Sequence, residues 1–257
     1  MPIISIAIQK GGSGKTTTTI NLGAALQRSG KKVLLIDADP QANLSQSLGM
    51  PDEPEFNLYS EIKKEITGQG SDIKKAIVEI RPGFSIVPAS IELADAEMEL
   101  VSVYSREQVL SWILKPIEKD YDFIFIDCPH SIGMLTVNAL VACSLVLIPL
   151  QAEFLPLKGV QSFMRLFRSI KKRLNPKISL LGVILTKFDE RKKMNQNVQE
   201  QLEKEFGSMV FQTHIRTCIA LAKAQEAGVD VFSFDKNSHA AKDYHELAEE
   251  LINKLRQ

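Results

Sequence analysis

Residues 3–8, an apolar run of strand length, lead directly into Gln9-Lys10-Gly11-Gly12-Ser13-Gly14-Lys15-Thr16-Thr17 and then into a stretch of helical periodicity. Few short segments constrain a fold as strongly. Glycines at 11, 12 and 14 let the backbone wrap closely round phosphate oxygens, where a Cβ would collide. The N–H groups at the start of the new helix point at the same place, and the helix dipole favours negative charge there. Lys15 is then placed to reach the β- and γ-phosphates of a nucleotide, and the Thr16 hydroxyl to ligate Mg²⁺. The loop needs a strand behind it and a helix in front, and this chain has both.

The rest of the chain repeats that alternation. Strand-length apolar runs are expected at 3–8, 33–37, 84–87, 123–127, 145–149 and 180–186, and helices at 15–29, 106–118, 134–142, 158–174, 195–206 and 240–255. The pattern predicts an α/β fold with a mostly parallel, twisted sheet flanked by helices. The segment 51–71, rich in Pro, Gly and charge, is expected to be an irregular insertion. No repeat or linker divides the chain, so residues 1–257 are expected to form a single domain with no added N-terminal helix-turn-helix module.

Composition removes several functional classes. With 31 basic and 31 acidic residues the formal net charge is zero, so any nucleic-acid footprint has to be local. The cysteines, Cys128, Cys143 and Cys218, form no CxxC pair and are odd in number, which argues for a reducing compartment rather than a disulfide framework. No apolar run has the roughly 18 residues that a membrane span needs. A cytoplasmic protein is expected.

Two further carboxylate positions stand where α/β sheets bind ligands, at the C-terminal ends of strands. One is Asp37-Ala38-Asp39-Pro40-Gln41, the other Asp127 at the end of Phe123-Ile124-Phe125-Ile126. Asp127 fits a carboxylate that holds Mg²⁺ through water. Asp37 and Asp39 can alternatively serve as helix caps.

The run Lys10 to Thr17 resembles the deviant Walker A loop of the ParA/MinD group of ATPases, a P-loop NTPase family. Gln9 stands where general P-loops have their first Gly, and Ser13 where most of that group have Val. The resemblance extends through Asp37-Ala38-Asp39-Pro40-Gln41 and Val87-Pro88-Ala89-Ser90. It continues through Asp127-Cys128-Pro129-His130-Ser131, in which His130 replaces a second proline. It implies ATP and Mg²⁺ as cofactors, with Lys10, Gly11, Gly12, Ser13, Gly14, Lys15, Thr16 and Thr17 round the nucleotide and Thr16 and Asp127 at the metal. The catalytic residues it implies are Lys10, acting across a homodimer interface, Lys15, and Asp39, which positions the attacking water. Thr186-Lys187-Phe188-Asp189 is similar to the segment with which related proteins read the base, giving Lys187 and Asp189; signal-recognition GTPases use the same pattern for guanine, and the lysine-bearing loop favours ATP.

ParA-type ATPases segregate DNA or position cargo. The resemblance implies slow ATP hydrolysis stimulated by a ParB-like or cargo-adaptor partner, and an ATP-dependent sandwich dimer bound to non-specific DNA on the nucleoid. Candidate DNA contacts are Lys171, Lys172 and Arg173 together with Arg191, Lys192 and Lys193; solvated helix faces are the alternative. A MinD-like membrane-associated ATPase is the competing reading. That group ends in a basic amphipathic tail, whereas Glu246, Glu249 and Glu250 make the last helix here acidic and fit a helix packed on the core, so a membrane partner is not expected.

Overall fold

The computed structural model describes residues 2–152 and 156–256, with side chains for all of these except 156–158. Its strands are β1 (Ile3–Ile6), β2 (Val33–Asp37), β3 (Val78–Arg81), β4 (Phe84–Val87), β5 (Phe123–Asp127), β6 (Leu145–Gln151), β7 (Ser179–Phe188) and β8 (Ile215–Arg216). They form an eight-stranded sheet in the order β3-β4-β2-β5-β1-β6-β7-β8. All neighbours run parallel except β3 and β4, an antiparallel hairpin at one edge.

The helices are α1 (Lys15–Arg28), α2 (Asn43–Gln46), α3 (Leu58–Ile66), α4 (Leu93–Glu99), α5 (Val109–Leu114), α6 (Met134–Ala142), α7 (Pro156–Arg173), α8 (Lys193–Phe206), α9 (Ile219–Glu226), α10 (Val231–Asp235) and α11 (His239–Arg256). Strand alternation divides the core into two layers. Ile3, Leu34, Ile36, Ile124 and Ile126 face one layer, with α3, α5, α6 and α7. Ile4, Ile6, Val33, Leu35, Phe123 and Phe125 face the other, with α1 and α11. Tyr244, Leu247 and Leu251 of α11 are buried in this second layer, so the last helix packs on the core as its pattern predicts. Among the described residues no helix is long and apolar enough to cross a membrane.

Three expectations need correction. Segment 51–71 is not an irregular insertion, since it contains α3. Asn57 accepts from the Ser60 N–H at 3.0 Å, the Ser60 hydroxyl lies 3.2 Å from the Asn57 N–H, and Leu58 and Ile62 are buried. Reciprocal capping and one apolar stripe stabilise a helix whose composition looks loop-like. The helix expected at 106–118 is broken into 3₁₀ turns on either side of α5. Pro116 removes an α-helical donor in the last of these. Strands β3 and β8 were not anticipated. The first has no buried residue and the second is very short, so neither carries an apolar run.

The parallel strands deliver three chain segments to one edge. In register, Ile6 of β1 and Asp37 of β2 flank Asp127 of β5. The phosphate-type loop leaves β1 between the two acidic strand ends and the start of α1.

Candidate active site

The loop between β1 and α1 is shaped by its glycines. Gly12 and Gly14 have φ values of 69° and 89°, left-handed conformations that a side chain would strain. A Cβ built on Gly11 or Gly12 would meet nothing within 4 Å, because both face open space rather than packed chain. The loop and the segment that follows β2 border a cleft of about 590 Å³, lined by Gly11 to Thr17, Asp39, Gln41, Asn43, Ser47, His130, Lys187 and Gln225.

Lys15 is only 8% exposed at its floor, and its Nζ donates to the Lys10 carbonyl at 3.2 Å. Thr16 donates through its hydroxyl to Oδ2 of Asp127 at 2.7 Å. The Thr19 hydroxyl lies 3.4 Å from the other carboxylate oxygen, Oδ1. Asp127 is 1% exposed. Burial, reinforced by the neighbouring Asp37 carboxyl, pushes its carboxyl up to about 8 against the opposing effect of the Thr16 hydrogen bond. A cation beside Thr16 would favour the ionised carboxylate, and an oxygen donor set of hydroxyl and carboxylate suits a hard divalent ion.

The two aspartates after β2 have separate surroundings. Asp37 is fully buried, and burial raises its carboxyl to about 6. Its Oδ2 accepts from the Ser45 N–H at 2.9 Å and the Ser45 hydroxyl at 2.7 Å, so it caps α2 from a distance. Asp39 lines the cleft and accepts from the Gln41 N–H at 3.0 Å, which fixes the turn at 39–41 and leaves its other oxygen available to the cleft.

Other expected residues scatter. Lys187 lines the cleft, but Asp189 does not. The Asp189 carboxylate is held by Arg191, whose Nε and terminal nitrogen donate at 2.9 and 3.0 Å, beside a separate hollow with Phe188, Arg216 and His239. This pair holds the Asp189 carboxyl down at about 2. The two basic runs are not one patch. Lys171, Lys172 and Arg173 end α7, which runs back to the start of β7, whereas Arg191, Lys192 and Lys193 follow its far end. Ten extended residues separate these ends by roughly 30 Å. All six side chains are exposed.

Several cleft residues were not anticipated. Gln41 and Asn43 lie within or beside the acidic motif, but Gln225 comes from α9 and has no local signal; its Nε2 reaches the Thr17 hydroxyl at 3.4 Å. His130, which stands where the resemblance has a second proline, is exposed and borders the cleft. A smaller hollow of about 180 Å³ adjoins Gly14, Thr17, Lys187 and Gln225 and is walled by Ile215, Cys218 and Leu221, an apolar slot of the kind that suits a flat ring. Ser13 is 1% exposed, and its hydroxyl has no hydrogen-bond partner among the described residues, an orphaned polar atom at the loop.

Comparison with known proteins places these features. An AAA domain family matches residues 1–180. The chain is 39% identical over 249 residues to the sporulation initiation inhibitor protein Soj of Bacillus subtilis, covering 97% of each. It is 36% identical over 256 residues to the chromosome partitioning protein ParA of Caulobacter vibrioides, covering 99% of this chain and 95% of that one. Among solved structures, cobyrinic acid a,c-diamide synthase from Mycobacterium smegmatis with bound ADP and magnesium superposes with a TM-score of 0.85 at 32% identity, covering 100% of this chain and 96% of that one.

Proposed function

This chain belongs to the Soj/ParA family of P-loop ATPases, and on that premise we propose that it binds Mg-ATP and hydrolyses it to switch association state during DNA partitioning or cargo positioning. The observation that carries the reading is the Thr16–Asp127 hydrogen bond of 2.7 Å beside a glycine cradle with Lys15 at its floor. The open space over Gly11 and Gly12 and the orphaned Ser13 hydroxyl fit a phosphate chain. Thr16 and Asp127 fit a magnesium ion, with the buried carboxylate acting through water. An ion held there by the Thr16 hydroxyl, with Asp127 behind it, would supply charge neutralisation to the phosphates.

The chain's own groups do the rest. Backbone N–H groups at 11–16 and the α1 dipole hold the phosphates. Lys15 turns its ammonium from the Lys10 carbonyl to the β/γ region. Asp39, fixed on its turn, orients the attacking water. Lys10 offsets phosphate charge across a dimer interface in which two clefts face each other. Lys187 and the apolar slot flank the base; Asp189 lines neither the cleft nor the slot, and its carboxylate is engaged by Arg191.

In the ATP-bound dimer, Arg191, Lys192 and Lys193 meet DNA phosphates without sequence preference, and a ParB-like or adaptor partner stimulates hydrolysis and releases the complex. The position of these cations supports the assignment. They stand at the positive end of α8, where like charge is unfavourable and a phosphate would offset it.

The test begins with Lys15→Ala. ATP affinity by calorimetry should fall at least a hundredfold, about 2.7 kcal/mol, with little change in the apo melting temperature. Unchanged affinity overturns the site. Wild-type protein should then co-sediment with DNA only when ATP is present; retention on liposomes instead of DNA would favour membrane association.

A further inference from the structure

The loop at 128–133 leaves Asp127, passes His130 at the cleft and ends at Gly133, where α6 begins. Its far end is held by a residue from another element. Glu97 of α4 accepts from the Met134 N–H at 2.6 Å and the Leu135 N–H at 3.1 Å. These are two of the donors that a helix start leaves unpaired, and Gly133 offers no side chain to satisfy them.

Gly133 is small for a reason unrelated to backbone freedom, since its φ is −122°. A Cβ there would lie 2.4 Å from Oε1 of Glu97. The glycine therefore admits the carboxylate against the helix start, and the α6 dipole favours its charge. The Thr136 hydroxyl secures the same turn by donating to the Ser131 carbonyl at 2.7 Å. The loop is thus pinned at one end by the Thr16–Asp127 contact and at the other by α4. Leu93 and Ala96 anchor α4 on the core, while Met98 is 77% exposed on its outer side.

We propose that Glu97 is a positioning residue for hydrolysis, coupling α4 to the loop between Asp127 and α6 so that occupancy of the cleft and the placement of α4 are linked. The inference rests on the nucleotide reading of the cleft. Loss of the cap lets the loop end drift, and a displacement of about 1 Å near reacting groups can cost on the order of a hundredfold in rate. Phosphate binding, which depends on the glycine loop and Lys15, is left in place.

The test uses Glu97→Gln, which keeps shape and one acceptor, Glu97→Ala, and Gly133→Ala, which displaces the carboxylate without altering it. Calorimetry with a non-hydrolysable ATP analogue should give affinities within about threefold of wild type. Turnover should fall least in Glu97→Gln and at least tenfold in the other two. Hydrogen exchange supplies a readout independent of turnover. In wild type, the analogue should slow exchange in both 128–135 and 93–99; in Glu97→Ala and Gly133→Ala, the analogue should still protect residues 11–16 but no longer 93–99. Protection of 93–99 that is absent in wild type, or retained in both variants, overturns the coupling, as does normal turnover with only a lowered melting temperature. Failure of wild type to bind the analogue at all would instead overturn the nucleotide reading.

Discussion

Thr16 and Asp127 lie 111 positions apart in the chain and meet through a hydrogen bond of 2.7 Å, the hydroxyl at the start of α1 donating to the carboxylate that ends β5. A cation ligated through a lone pair of the Thr16 oxygen leaves the O–H to donate to Asp127, which acts on the ion through water. Thr16→Ala should therefore remove metal dependence more than nucleotide binding itself. The ratio of ATP affinities with magnesium and with EDTA, tenfold or more in wild type, should fall towards one, a loss of about 1.4 kcal/mol. An unchanged ratio in calorimetric titrations places the cation elsewhere.

Asp39 separates binding from chemistry. Asp39→Asn keeps an acceptor for the Gln41 N–H and so preserves the turn, while Asp39→Ala loses that bond at a cost of about 0.5–1.5 kcal/mol. Both should bind an ATP analogue normally. Both should lose turnover by roughly a hundredfold or more, the scale of a positioned acid–base group. Turnover at the wild-type rate in Asp39→Asn reduces the residue to a turn former.

The basic runs make a paired prediction because they stand at opposite ends of β7. Arg191→Ala should weaken ATP-dependent DNA binding about equally for all sequences and flatten the slope of log affinity against log salt by roughly 0.9 per lost phosphate contact and protomer. Changing Lys171 and Lys172 to Ala should leave the slope unaltered. The opposite outcome, measured by fluorescence anisotropy over a salt series, would move the DNA face to the far edge of the sheet.

His214 lends the fold a pH dependence. It packs on Phe188 with ring centroids 4.2 Å apart, and its Nε2 is buried without a hydrogen-bond partner. Burial holds its pKa below the ordinary value of 6.5, although Glu190, Glu203, Glu250 and Asp243 pull in the other direction. The unfolded chain then takes up this proton before the folded one does. Its contribution is fully present above about 6.5 and is lost as pH falls towards the depressed folded value. Asp37, raised by burial, contributes in the opposite direction over the acid range, so the difference between proteins is the useful quantity. The melting temperature of wild type relative to His214→Phe should fall between pH 7 and 5.5; a constant difference removes His214 from the pH dependence.

Much of this site was legible in short stretches of chain. Lys15, Thr16, Asp39 and Asp127 are expected at one site because each sits at a strand end or helix start within a few residues of its own signal; the fold places Lys15, Thr16 and Asp39 round one cleft, with Asp127 hydrogen-bonded to Thr16. Four of the strands anticipated from apolar runs are largely buried central strands, β1, β2, β5 and β6. The helix at Leu58–Ile66 was missed because its cap and stripe were hidden among residues that favour loops. Asp189 was expected at the base because its motif is local; its carboxylate is taken by Arg191, two positions away, which spacing alone does not reveal.

The sequence by itself determined the sheet's central strands, the glycine loop and the order in which acidic strand ends follow it, because periodicity and close-range spacing act within one element. Only the tertiary structure decided that Gln225 borders the cleft, that Glu97 caps the helix after Asp127, and that the two cationic runs face opposite edges. Those relationships depend on how crossovers route the chain between strands, and a contact between distant segments leaves no periodicity in either one. Gly133 is the clearest instance: its small size is required by a carboxylate 36 positions upstream, which only folding brings to it.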